Sequence, residues 1–319
     1  MVDHVGGAHV VGCASGTDAL VLALRALDVG AGDEVILPAL TFVATAEAVA
    51  LVGATPVFAD IEPDTFAVDP RSVAGLVSTR TRAILPVHMF GLCARMEPLR
   101  EIAAASGLYI VEDAAHAVGA RWRGTPAGAL GHVAAFSFFP TKNLGAPGDA
   151  GMVTTTDATL ADKLRRLRAH GRRDDGGYES VGLNSRLDEI HAAVLRVKLR
   201  YLDGWNDKRR AAAALYRAAL SGGDIVAPVE IDGARHVYHH FTVRTRHRAD
   251  LAARLAAAGV ASAVYYPRAL HEQPAYARWA QGPLPEAERA AREVLSVPVH
   301  PWLTDGEIAR VAAALATRR

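Results

Sequence analysis

Lys142 follows an aromatic stretch, Phe136-Ser137-Phe138-Phe139-Pro140-Thr141, and precedes a glycine- and proline-rich loop from Gly145 to Gly151. A lysine in a confined, partly apolar setting loses its proton more easily and can then act as the amine of a Schiff base. Ser137, five residues earlier, sits where a hydroxyl could reach a phosphate. A second piece is Ile110-Val111-Glu112-Asp113-Ala114-Ala115-His116, an apolar strand ending in an acid. In a parallel sheet that end is the carboxyl edge, where ligands sit. An aspartate there can pair with a protonated pyridine nitrogen and keep such a ring a good electron sink. His116, three residues on, could lean on that ring or on its phenolic oxygen.

A third piece, Ser15-Gly16-Thr17-Asp18, leads straight into a helix with Leu20, Leu24 and Leu27 at helical spacing. The start of a helix offers unpaired N–H groups and the positive end of its dipole, which suit a phosphate. Gly16 lets the backbone come close, and the Thr17 hydroxyl can add a bond. The fourth piece, Gly182-Leu183-Asn184-Ser185-Arg186-Leu187-Asp188-Glu189, opens a long helix and could be presented to a neighbouring subunit. Alone, each piece has a plainer reading: a helix cap, a strand-end cap, a packing or surface histidine, a solvent-facing lysine in a turn.

The elements that must position these residues alternate in type. Strands are expected at Glu34–Leu37, Pro56–Ala59, Arg82–Val87, Leu108–Val111, Val133–Phe138 and Gly151–Thr155, with one of the last two antiparallel. Helices are expected at Thr41–Val52, Pro70–Val77, Met96–Ser106 and Asp157–His170, from apolar residues at helical spacing. This rhythm predicts an α/β fold: a mostly parallel sheet flanked by helices. Arg186–Ala219 reads as one long helix, or two joined near Gly204. Beyond it the pattern changes to a strand at Val237–Arg244, a helix at Ala249–Ala258, a strand at Ser262–Tyr266 and helices at Pro285–Val294 and Thr304–Thr317. The expected division is a large domain over residues 1–215 and a smaller α+β domain over 216–319.

Composition narrows the class. Of 319 residues half are hydrophobic, the net charge is +1, and neither nucleic acid nor an anionic membrane is called for as a partner. Cys13 and Cys93 have no CxxC spacing, which predicts reduced thiols in a cytoplasmic protein rather than disulfides, and no metal site is expected. No apolar run reaches membrane-spanning length and the N-terminus does not read as a signal peptide. No GxGxxG follows an early strand, which speaks against a nicotinamide enzyme.

Taken together and in order, the segments SGTDALVLALRAL, GDEVILPALTFVATAEAV, ATPVFADIEPDTF, VEDAAHAVGA, FSFFPTKNLG, NSRLDEIHAAVLRVKL and LSVPVHP resemble the DegT/DnrJ/StrS sugar aminotransferases, a branch of the fold-type-I pyridoxal-phosphate enzymes. The resemblance runs from about Gly12 to the end of the chain. It implies pyridoxal 5'-phosphate as cofactor, with Lys142 holding it and shuttling the proton, and Asp113 on the pyridine nitrogen. Gly16, Thr17 and Ser137 match phosphate contacts, and Asn184 a phosphate contact made from the partner subunit of a homodimer with shared sites. Phe42 matches an aromatic that stacks on the cofactor ring, and His116 stands where members carry Gln or His. Tyr178, Arg186 and Tyr265 fall where substrate contacts are expected.

The implied reaction moves an amino group from a glutamate-type donor to a nucleotide-linked, dTDP-type keto-deoxysugar. NSRLDEIHAAVLRVKL and YYPRALHEQPAY look more like the 3-amino than the 4-amino enzymes. A related dehydratase replaces the lysine with histidine, so Lys142 argues against it. The alternative of another class is a non-catalytic, cofactor-binding relative with a regulatory role. Family members carry several dozen residues before the SGTDAL motif, where this chain has about fifteen. The resemblance therefore implies that this is a piece of a longer chain, or that an N-terminal helix and part of the cleft are dispensable.

Overall fold

The computed structural model describes every residue except 7–8, 221–223 and 317–319. The described residues run through twelve strands and ten α-helices. In the first part these are β1 (His9–Cys13), α1 (Gly16–Ala26), β2 (Glu34–Pro38), α2 (Ala44–Leu51), β3 (Thr55–Ala59), α3 (Pro70–Leu76), β4 (Thr81–Ile84), α4 (Met96–Ser106) and β5 (Tyr109–Asp113). There follow β6 (Arg121–Trp122), β7 (Thr125–Pro126), β8 (Val133–Ser137), β9 (Gly151–Thr155), α5 (Ala158–Leu167), α6 (Glu189–Leu199) and α7 (Leu202–Ala219). The remainder is β10 (Ala234–Arg235), β11 (Phe241–Arg244), α8 (Arg248–Ala257), α9 (Pro285–Glu293), β12 (Val294–Val297) and α10 (Asp305–Ala316).

Seven strands form the main sheet in the order β1-β9-β8-β5-β4-β2-β3. Strands β3, β2, β4, β5 and β8 are parallel; β9 runs against β8, and β1 against β9. The expected antiparallel member is therefore β9. Alternation along each strand divides the side chains between two faces. Val35, Leu37, Val111, Val133, Ala135 and Val153 meet α1, α2 and α5 on one side. Ile36, Ile84, Ile110, Ala134, Phe136 and Met152 meet α3 and α4 on the other, with Leu195 and Leu202 of α6 and α7. Both faces are covered, which is why the strands read as nearly unbroken apolar runs.

A third core joins α7, β11, α8, β12 and α10 through Tyr216, Phe241, Val243, Leu251, Leu255, Leu295, Val311 and Leu315. Helix α9 is different: Ala287, Ala290 and Ala291 pack into the first core. Asp60, just beyond β3, accepts the N–H groups of Glu286 and Ala287 at 3.1 and 2.8 Å and so caps α9 against the large sheet. No helix among the described residues is long and apolar enough to cross a membrane.

Several expected elements are corrected. Strand β1 was not foreseen; its five residues mix Gly12 and His9 with Val10 and Val11, and its pairing with β9, 138 to 146 positions away, carries no local signal. Of the two readings of Arg186–Ala219, two joined helices hold, with the first starting at Glu189 and the junction at Arg200–Tyr201, just before Gly204, which lies inside α7. The strand expected at Ser262–Tyr266 reduces to one bridge between Ala263 and Ser296, because those residues turn towards the cavity described below. The strand expected at Val237–Arg244 begins only at Phe241, and the expected end of the last helix, Thr317, lies outside the described residues.

Two glycines separate packing from propensity. A Cβ on Gly151 would lie 2.3 Å from the carbonyl oxygen of Ser15, whereas one on Gly204 meets nothing within 4 Å. Gly151→Ala is expected to cost about 1–3 kcal/mol or more, because the obstacle is backbone. Gly204→Ala should stabilise by about 0.5–1 kcal/mol, since it removes a glycine from a helix. Urea unfolding of the two variants checks both signs.

Candidate active site

The carboxyl ends of β5 and β8 and the first turn of α1 converge on a cavity of about 500 Å³. That size suits a small organic ligand. Ser15 caps α1 by accepting the N–H of Asp18 at 3.0 Å. The N–H groups of Gly16 and Thr17 find no acceptor among the described residues and face the cavity with the Thr17 and Ser137 side chains. Gly16 is required for this approach: a Cβ there would stand 2.7 Å from Cβ of Ser137. The result is an anion seat at a helix N-terminus with hydroxyls beside it.

Ser185, from the fourth motif, steadies this corner. Its hydroxyl accepts the N–H of Ala14 at 3.1 Å and donates to Asp18 at 2.6 Å. Asn184, next to it, is exposed and does not line the cavity of its own chain, and the same holds for Arg186 and for Tyr178, which is 71 % exposed.

Asp113 closes β5 with its carboxylate buried in the cavity wall. One oxygen accepts the Thr45 hydroxyl at 2.8 Å, and Thr45 in turn meets Thr41 at 3.0 Å; the other accepts the N–H of Ala115 at 3.1 Å. Burial pushes the Asp113 carboxyl above its ordinary value, against the pull of those bonds and of Lys142 and His88. Such a carboxylate, without a bonded cation, is matched by a ring N–H presented from the cavity.

Lys142 enters from a tight loop. Its N–H donates to the carbonyl of Phe139 at 2.8 Å, and Ala146 returns to Phe138 at 2.7 Å. Gly145 fits under this turn only without a side chain, since a Cβ would lie 2.5 Å from the Pro140 carbonyl oxygen. Lys198 of α6 donates to the Gly145 carbonyl. No acceptor among the described residues hydrogen-bonds the Lys142 amine, and burial lowers it to about 8, with Asp113 pulling the other way.

The remaining wall is aromatic. His240 stacks on Tyr265 with centroids 4.2 Å apart, and Phe42 faces Tyr266 at 6.0 Å. Phe42 is 53 % exposed at the mouth. His116 lies over His239 at 4.3 Å. Burial drives His116 and His239 far below the usual histidine range, and His240 down to about 3. Burial also raises the Tyr266 hydroxyl, with Asp113 adding to the shift.

Eight of the eleven residues singled out in the sequence thus meet in one cavity: Gly16, Thr17, Phe42, Asp113, His116, Ser137, Lys142 and Tyr265. Sequence reasoning missed Thr45, His239, His240 and Tyr266. The run His236-Val237-Tyr238-His239-His240 was an available signal for the histidines, and Tyr266 stood beside a residue already chosen. Thr45 had none, as it is the second residue of an Ala-rich helix.

Residues 1–316 match the family described as DegT/DnrJ/EryC1/StrS aminotransferases, and the chain belongs to that family, within the fold-type-I pyridoxal-phosphate enzymes. Over 302 residues it is 49 % identical to a "Pleiotropic regulatory protein" of Geobacillus stearothermophilus, covering 93 % of this chain and 81 % of that one. It is also 49 % identical over 310 residues to a dTDP-3-amino-3,4,6-trideoxy-alpha-D-glucose transaminase of Streptomyces venezuelae, covering 96 % and 82 %. Among solved structures it is similar to S. venezuelae DesV in complex with a ketimine intermediate, with TM-score 0.96, 48 % identity and coverage of 99 % and 86 %.

The lowered Lys142 amine has a direct test. A lysine-selective acylating reagent should modify Lys142 with a pH midpoint near about 8, because only the neutral amine reacts. Peptide mass spectrometry across a pH series reads this; a midpoint near the ordinary lysine value would contradict the buried setting.

Proposed function

We propose that this protein transfers an amino group from a glutamate-type donor to a nucleotide-linked keto-deoxysugar of the dTDP type, forming a 3-amino sugar, with pyridoxal 5'-phosphate as cofactor. The observation that carries the reading is the opposition of Lys142 and Asp113 across one cavity, with the anion seat of α1 at its edge. The S. venezuelae transaminase, 49 % identical, supports the dTDP sugar and the 3-position. A regulatory role has the Geobacillus relative's name behind it. An intact Lys142–Asp113 pair favours the enzyme.

When bound, the cofactor supplies an amino-group carrier and an electron sink. Gly16, Thr17 and Ser137 would hold its phosphate, Phe42 would cover its ring, and His116 would flank it. Asp113 would hold a proton on the ring nitrogen, and its raised carboxyl fits a site that awaits a cation. Lys142 would anchor the cofactor and then carry a proton at Nζ, to which a value near 8 is well suited at physiological pH. Tyr265 would face the sugar, while Tyr178 and Arg186, outside the chain's own cavity, would reach substrate only across a subunit boundary. We further assign residues 1–215 to the cofactor-binding domain and 216–319 to the smaller one.

Lys142→Ala should abolish transfer and the covalent cofactor adduct that borohydride fixes. Asp113→Asn should retain the fold but cut turnover by orders of magnitude, since an amide does not hold the ring nitrogen protonated. Single-turnover absorbance measurements with glutamate and then a panel of dTDP- and UDP-keto-sugars read both. Wild-type turnover in either variant, or no amination of any sugar by the wild-type protein, would overturn the assignment.

A homodimer with shared sites is supported by the exposed Asn184 and by bare apolar side chains on α6 and just beyond it, where Ile190, Val197 and, at the start of α7, Tyr201 are 75 %, 55 % and 57 % exposed. Closed two-fold pairing would cover these side chains. Mixing Lys142→Ala chains with Asn184→Ala chains should then restore partial activity, because each mixed dimer holds one doubly damaged and one intact site. Mixed dimers that recover nothing would place Asn184 in its own subunit's site.

A further inference from the structure

His116, His239 and His240 each bring one ring nitrogen to a common point, all three within 4.8 Å of one another. They come from two separate stretches, the turn after β5 and the segment entering β11, so neither local sequence alone makes the cluster.

The free lone pairs can be assigned. Asn143 Nδ2 donates to the carbonyl of Val237 at 3.0 Å and to Asn206 Oδ1 at 2.8 Å. A carbonyl only accepts, so the Asn143 amide is oriented with Oδ1 towards His239. His239 Nδ1, 3.1 Å from that oxygen, must therefore be the donor, which leaves its Nε2 bare. An oriented hydrogen bond on the far nitrogen of an imidazole is the arrangement that prepares it as a metal ligand. His116 Nδ1 is buried with no partner, an orphaned polar atom in a residue only 7 % exposed. His240 is held by its stack on Tyr265 and opens on the same cavity.

We propose that His116, His239 and His240 form a binding site for a zinc-type divalent transition cation, with a fourth position open to the cavity. Three imidazoles and no carboxylate select zinc over magnesium or calcium, which need oxygen donors. Three histidines plus one open position is an established zinc geometry. Around tetrahedral zinc the nitrogens stand about 3.4 Å apart, so the rings must close by up to about 1.4 Å from a spacing of as much as 4.8 Å. Burial favours the neutral form of all three rings, the form that ligates. Lys142 and Arg209 lie within electrostatic reach of the cluster and weaken its hold on a cation. An ion there stands beside Lys142 and blocks the cavity. That consequence, inhibition relieved by a chelator, rests on the aminotransferase reading; the binding does not.

Equilibrium dialysis of the cofactor-loaded protein against Zn²⁺, with Co²⁺ as a visible probe of coordination, tests the site without turnover. One ion per chain is expected, with histidine-type Co²⁺ bands. His240→Phe, which keeps a ring on Tyr265, and His239→Phe should each weaken binding by about tenfold or more. Retained cofactor absorbance shows that the cavity survives in each variant. Should a variant not fold, anomalous diffraction from zinc-soaked wild-type crystals decides instead, with a peak among the three rings expected. Affinity unchanged in folded variants, or an anomalous peak only at surface histidines, would overturn the proposal. Zinc binding at the cluster by a protein that aminates no sugar would leave this site standing and remove the functional reading alone.

Discussion

A carboxylate taken out of water must be matched by donors or a cation, and Asp113 is such a group at the centre of this molecule. Its two oxygens receive one hydroxyl and one backbone N–H, which is too little to offset burial fully, so its carboxyl stays raised. The surrounding structure answers that constraint. Thr45 has to arrive from α2, so α2 must lie against the end of β5. Lys142 has to face the site from the loop after β8, and its own burial lowers it towards neutrality. The two groups moderate each other without forming a contact ion pair, which leaves both available to a third party in the cavity.

Glu112 shows how strongly position decides chemistry. It precedes Asp113 and carries the same functional group, but the strand period turns it to the opposite face. There it is fully buried and accepts His88 Nε2 at 2.8 Å and the N–H groups of Gly128, Leu130 and Gly131 at 2.9, 2.8 and 2.7 Å. His88 Nδ1 accepts the N–H of Ala94 at 3.2 Å, so its Nε2 is the donor. Glu112 is thus saturated and structural, fastening the loop before β8 to β5. Asp113 is unsaturated and faces the site. Asn143 does comparable work beside Lys142, tying the lysine loop to α7 through Asn206 and to the segment of His239.

The main sheet was legible because its strands are buried on both faces and leave apolar runs separated by amphipathic helices. The edge strand β1 was not, because an edge strand of mixed residues takes its identity from its neighbour. The break in the long helix fell at Arg200–Tyr201, two residues with no breaking tendency, while Gly204 was tolerated within α7. Packing overrode propensity there, since Leu195 and Leu202 both had to reach the same core. Tyr265 was expected on a strand and instead stacks on His240 at the cavity wall.

The sequence by itself determined the alternating fold and marked Lys142, the acid at a strand end and the glycine-bearing turn before α1 as candidates. Each of these rests on a local pattern of a few residues, ambiguous alone and readable through their order along the chain. Tertiary structure alone decided which residues share one cavity. The histidines at 239 and 240 and Tyr266 are brought there by folding, with Thr45 of α2 bonded to Asp113 behind the wall, while Tyr178, Asn184 and Arg186 are left outside it. The physical reason is that burial, and with it the neutral imidazoles, the lowered lysine and the raised aspartate, is a property of the assembled core and not of any segment.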